Sequence, residues 1–145
     1  MLRALLVLLV AIPIATLTYL SVAQEKSEHH GDYDACAKAC LACQKECDTC
    51  AAHCAKLVDS GKKEHAVTMH TCEDCSAICA TAAKIVARKG PFSEVICHAC
   101  ADACKQCGDE CAKHTGDPVM KKCAEECKKC EKACREMVKT PHVTK

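Results

Sequence analysis

From residue 33 to residue 139 one pattern recurs: a cysteine every three or four positions, with Ala, Lys, Glu, Asp and Gln between. The first segment carries Cys36, Cys40, Cys43, Cys47, Cys50 and Cys54, and the second Cys72, Cys75 and Cys79. The third carries Cys97, Cys100, Cys104, Cys107 and Cys111, and the fourth Cys123, Cys127, Cys130 and Cys134. Steps of three and four trace a single stripe along an α-helix, the seam that faces partner helices. The intervening residues are helix formers or surface residues. Asp59-Ser60-Gly61, Gly90-Pro91-Phe92-Ser93 and Thr115-Gly116-Asp117-Pro118 interrupt the pattern, and Pro141 ends it. Asp117 has the chemistry of an N-cap with Pro118 at the first helical position. The pattern predicts helices at about 33–58, 63–89, 93–114 and 118–139. Short loops join neighbours antiparallel, so the expected fold is all-α: an up-down-up-down four-helix bundle with a Cys-lined core.

Composition sharpens this. The 145-residue chain has eighteen cysteines, no Trp, one Phe and two Tyr. From Gln24 onward there are only two Leu, three Ile and seven Val. So few large apolar residues cannot fill an ordinary core, whereas free Cys behaves as a small hydrophobe. Basic and acidic residues nearly cancel, 20 against 19, and no basic patch or aromatic platform points to nucleic acid.

The N-terminus is a separate object. Arg3 is the one charge before an apolar run from Ala4 to Leu20, and Ser21-Val22-Ala23 offers a small-x-small site. This predicts a signal peptide over residues 1–23, or an uncleaved anchor, followed by a polar lead-in at 24–32. The bundle occupies 33–139 and a tail 140–145. The expected location is exported, periplasmic or otherwise extracytoplasmic.

Three chemistries compete for eighteen inward thiols. An exported disulfide-stabilised helical structural or interaction domain is one. Six cysteines on one helix facing three on the next pair poorly, and a staple does not need an unbroken seam. A zinc-thiolate protein is the second, since CxxC pairs such as Cys72–Cys75 are a zinc signal. Four thiolates around Zn(II) leave a net charge of minus two, which is costly to stack in a dry core. Cu(I) is the third. Soft thiolates select it, and exchanging each S–H proton for Cu(I) keeps the core neutral. Two-coordinate Cu(I) needs sulfurs about 4.5 Å apart, within reach of i,i+3 and i,i+4 neighbours. This chemistry predicts many Cu(I) per chain, held by all eighteen cysteines. No thiol is singled out as a nucleophile, so the reading is a binding protein and not an enzyme.

Extending the seams past the cysteines reaches His65 and Met69 on the second helix, His114 after the third and Met120 on the fourth. An antiparallel bundle gathers these at one mouth, where weaker Cu(I) ligands suit transient capture. The opposite end offers Tyr33, Val86, Ile96 and Met137 as an apolar plug. His53 and His98 adjoin seam cysteines and His70 lies two before Cys72, so all three point off-axis.

The C-x3-C-x2-C-x3-C-x2-C-x3-C run of Cys36 to Cys54, with the matching seams that follow, resembles the bacterial copper storage proteins. The resemblance covers about residues 33 to 139. It implies Cu(I) along the bundle core, Met and His at the open end, copper donor or acceptor proteins as exchange partners, and a homo-oligomer, a tetramer in exported members.

Overall fold

The structure, a computed structural model, describes the backbone of residues 15–139 and the side chains of residues 32–139. Four helices follow in order: α1 (Ala15–Asp59), α2 (Ala66–Ala87), α3 (Ser93–Cys111) and α4 (Pro118–Lys139). A 3₁₀ turn at Lys63–His65 precedes α2, and no strand occurs among the described residues. The helices pack in a ring, α1 on α2, α2 on α3, α3 on α4 and α4 on α1. This is the expected bundle.

The helix ends depart from the sequence reading. α1 covers Ala15–Asp59, so the polar lead-in at 24–32 lies within a helix. Residues 1–14 of the expected signal peptide or anchor, and the tail 140–145, lie outside the described residues. Among the described residues no helix is long and apolar enough to cross a membrane. α3 stops at Cys111, three residues before the expected end, which leaves His114 in the connection to α4.

The first two connections use the same stop signal. After α1, the Lys62 amide bonds the Leu57 carbonyl and the Gly61 amide the Val58 carbonyl, both at 3.0 Å. After α2, the Gly90 amide bonds Ile85 at 3.0 Å and the Lys89 amide bonds Val86 at 2.9 Å. Each pair is a Schellman closure, which requires a left-handed residue after the helix. Gly61 fills that position at φ 97° and Lys89 at φ 54°. The third connection ends in a cap. Asp117 Oδ1 accepts from the amides of Val119 (2.9 Å) and Met120 (3.1 Å), so the expected N-cap is formed.

The core is sulfur. All eighteen cysteines are buried, together with Ala37, Ala51, Ala82, Ala83, Ala101, Val86, Met120 and Met137. On α2 the seam turns aliphatic after Cys79, where Ala82 and Val86 continue it. With Met137, and with Tyr33 and Ile96 packed against them, these close the far end as the sequence suggests. Small side chains let the helices approach closely. A methyl group on Gly108 of α3 would lie 3.2 Å from Cβ of Cys127 on α4. Outer polar contacts tie α4 to its neighbours through Lys122–Glu46 (2.9 Å) and Arg135–Asp102 (3.2 Å). Such exposed pairs add little stability.

The two Schellman closures give opposite expectations. Gly61→Ala forces a Cβ into the left-handed region and should lower the stability of the reduced, metal-free protein by about 1 kcal/mol. Lys89→Gly relieves the same strain and should raise it by up to about 1 kcal/mol. Urea midpoints of the two variants shifting in the same direction would contradict this assignment.

Candidate metal centre

The seam on α1 faces the seam on α3 across the bundle axis. These two helices run parallel, so the three-four rhythm stays in register. Cys36 meets Cys97 at 3.6 Å, Cys40 meets Cys100 at 3.9 Å and Cys43 meets Cys104 at 3.7 Å. Cys47 meets Cys107 and Cys50 meets Cys111, each at 3.9 Å. The result is a five-rung ladder of sulfur atoms down the centre. The diagonal helices meet through these sulfurs alone, their backbones packing only against adjacent neighbours.

α2 and α4 complete the rungs. Cys72 lies 3.6 Å from both Cys107 and Cys111, and Cys79 lies 3.5 Å from Cys104. Cys134 lies 3.7 Å from Cys36 and from Cys40, and Cys127 lies 3.7 Å from Cys43. Cys50, Cys72, Cys111 and Cys123 bring one thiol from each helix within 4.8 Å of one another, as do Cys43, Cys79, Cys104 and Cys130. Cys43, Cys47, Cys123, Cys127 and Cys130 each belong to at least two groups of four sulfurs lying within 4.8 Å of one another. Shared sulfurs are what bridged thiolate clusters require. None of the eighteen forms a disulfide. Cys54, above the fifth rung, stands nearest the mouth.

Mutual hydrogen bonding, with burial behind it, governs the protons on the sulfurs. Burial pushes the Cys54 thiol up. Hydrogen bonding within the cluster raises Cys47, Cys127 and Cys130, with Cys107, Cys107 and Cys100 respectively the leading partners. Where S–H groups converge on one sulfur the direction reverses. Contacts led by Cys104 lower Cys43, Cys75 and Cys100, and contacts led by Cys107 lower Cys111 to about 5. The network thus holds most of its protons and concentrates negative charge on a few sulfurs.

The structure brings some of the expected mouth residues together and sets others apart. The His65 and His114 rings stand 4.6 Å apart between centroids. Both line an open cavity of about 430 Å³ with Leu57, Lys62, Lys113, Asp117 and Pro118. Nδ1 of His65 is buried without a hydrogen-bond partner. Met120 is fully buried, one turn before Cys123, and Met69 is partly buried against the core. Neither methionine lines that cavity. His70 and His98 are exposed, as their off-axis positions suggest. His53 is half-buried and bonds Asp117 Oδ2 at 2.7 Å, tying α1 to the start of α4. Burial works to raise the Asp117 carboxyl, but His53 and the Met120 and Val119 amides together outweigh it and hold it below its usual range. The sequence reading missed His53 in this role, and it missed Thr68. Thr68 lies fully buried four residues before Cys72, on the seam itself.

A buried, unbridged, four-helix array of thiols in shared groups is the interior of a soft-metal store. The copper storage protein family model matches residues 29–139, and the chain belongs to that family. It stores multiple Cu(I) ions through the cysteine thiolates that line its core. A Cu(I)-bound copper storage protein, BsCsp3, is 36% identical, with a TM-score of 0.68, over 74% of this chain and 98% of that one. The cytosolic copper storage protein of Streptomyces lividans, solved with five coppers, is 30% identical, with a TM-score of 0.70, over 80% of this chain and 99% of that one. The uncharacterized cysteine-rich protein YhjQ of Bacillus subtilis (strain 168) is 38% identical over 84 residues, 58% of this chain and 76% of its own length.

The Streptomyces lividans relative is cytosolic, which corrects the expectation of an exported location. Thiols that must stay reduced to take up Cu(I) suit a reducing compartment.

The raised thiols fix the sign of a pH effect. A folded-state value above the ordinary 9.0 keeps the proton on after the unfolded chain has begun to lose it. The stabilisation is present below 9.0 and is lost as pH rises past it. The urea midpoint of the reduced, metal-free protein should therefore fall between about pH 8 and about pH 10. A constant or rising midpoint over that interval would contradict a mostly protonated core.

Proposed function

We propose that all eighteen cysteines serve as Cu(I) ligands, that residues 33–139 form the binding unit, and that copper enters past His65 and His114. The observation that carries this is the α1–α3 ladder, in which α2 and α4 add further sulfurs to rungs already closed. Neutral exchange of a proton for Cu(I) fits a site this dry. The protein turns nothing over; it buffers copper and exchanges it with donor or acceptor proteins. We place it in the cytosol, in keeping with its Streptomyces lividans relative. Exposed Leu41, Val67, Phe92 and Val95 offer apolar surface for self-association into a homo-oligomer.

Anaerobic titration of the reduced protein against a Cu(I) chelator should saturate at on the order of ten to twenty ions. Saturation at one or two would remove the ligand assignment. Paired Cys43→Ser and Cys104→Ser changes, in the middle of the ladder, should lower that capacity.

The entry claim is kinetic. His65→Ala with His114→Ala, Met69→Leu and Met120→Leu should slow loading and removal while leaving capacity nearly unchanged. Leucine is used because emptying the fully buried Met120 position would cost about 2–5 kcal/mol and confuse the result. If the fourfold variant loads and releases copper at the wild-type rate, the door lies elsewhere.

A further inference from the structure

The mouth contains a polar chain that the storage reading leaves unused. Thr68 is fully buried, and a buried hydroxyl needs a partner. The usual partner inside a helix is the carbonyl four residues back. Thr49, Thr71 and Thr81 all make that bond, at 2.9, 2.8 and 3.0 Å. Thr68 does not. Its Oγ1 crosses from α2 to lie 3.0 Å from His114 Nε2 and 3.5 Å from Glu110 Oε1. The Glu110 side chain is 17% exposed, and Lys113 Nζ holds its other oxygen.

The chemistry of these three groups sets the direction of the bonds. An ionised carboxylate only accepts, so the Thr68 hydroxyl donates to Glu110. The hydroxyl oxygen then accepts, and His114 must supply the proton from Nε2. That fixes the tautomer, because a neutral imidazole carrying its proton on Nε2 keeps the lone pair on Nδ1. Metal-binding histidines are commonly held this way, with the second nitrogen donating to a carboxylate or an oxygen behind it.

We infer that Thr68 and Glu110 are positioning residues that hold His114 with its Nδ1 lone pair free to capture Cu(I) at the mouth. This rests on the entry role proposed above for His114. The neighbouring ring supplies a second unpartnered nitrogen, since the buried His65 Nδ1 makes no hydrogen bond and both rings line one cavity. A soft ion passing between two imidazole nitrogens satisfies both before thiolates below take it over. The Thr68 hydroxyl never touches the ion; it decides which nitrogen of His114 is offered.

Nitrogen NMR of ¹⁵N-histidine-labelled, metal-free protein reads the tautomer directly. Wild type and Thr68→Ser should show His114 protonated on Nε2. Thr68→Val keeps the shape, removes the hydroxyl, and should lose that preference. Uptake of the first Cu(I) equivalents should slow about 10-fold in Thr68→Val, be restored in Thr68→Ser, and reach the same final capacity in both. His114 found protonated on Nδ1 in the wild type would overturn the inference. So would wild-type tautomer and wild-type uptake in Thr68→Val. His114→Ala separates the two claims. If it is slow while Thr68→Val is fast, the positioning role fails and the entry role stands. If it loads at the wild-type rate, the entry role fails, and the function assigned to the Thr68 chain fails with it.

Discussion

Everything in this molecule follows from packing sulfur against sulfur on the axis of a bundle. A thiol is compact and nearly apolar, so eighteen of them can be removed from water without the cost that carboxylates or amides would incur. It is also short. The parallel diagonal helices α1 and α3 meet across the axis through sulfur alone, with rung distances between 3.6 and 3.9 Å. The sparse aliphatic residues are left for the far end, where Val86 and Met137 seal the ladder. The polar residues gather at the near end, around His65, His114 and Asp117. Fold and function share one cause. The side chains that replace a hydrocarbon core are the ones that bind the cargo.

The same packing explains how a metal store can be a folded protein before it is filled. Protonated thiols satisfy one another through S–H···S contacts, and cluster hydrogen bonding raises Cys47, Cys127 and Cys130 toward the neutral form. Where S–H groups converge, as at Cys111, a thiolate is favoured instead, and such a sulfur is a starting point for a soft cation. Loading then replaces protons by Cu(I) within an existing frame.

The periodicity of the cysteines was enough to read the class, the four helices and the sulfur core, because every step within a seam is three or four residues and the longer gaps mark the connections. The Asp117 cap and the aliphatic plug were legible for the same reason: local chemistry and seam spacing decide them. What spacing could not reveal was contact across helices. His53 adjoins Cys54 and reads as a surface residue, yet it reaches Asp117 on another helix. Thr68 sits on the seam, but only the tertiary structure shows its hydroxyl crossing to His114. Helix α1 also extends well before residue 33, because the polar stretch at 24–32 carries only one glycine and no proline to stop it. The exported location rested on an apolar run ending in small residues, a local pattern that the cytosolic Streptomyces lividans relative overrides.

The central claim is that Cu(I) replaces protons in a preformed, mostly protonated core. The most direct measurement counts protons released per Cu(I) added to the reduced protein in weakly buffered solution near neutral pH, with far-UV circular dichroism followed on the same samples. The release should approach one proton per ion across the titration while helicity stays nearly constant. Release near zero, or a chain that becomes helical only as copper is added, would contradict it.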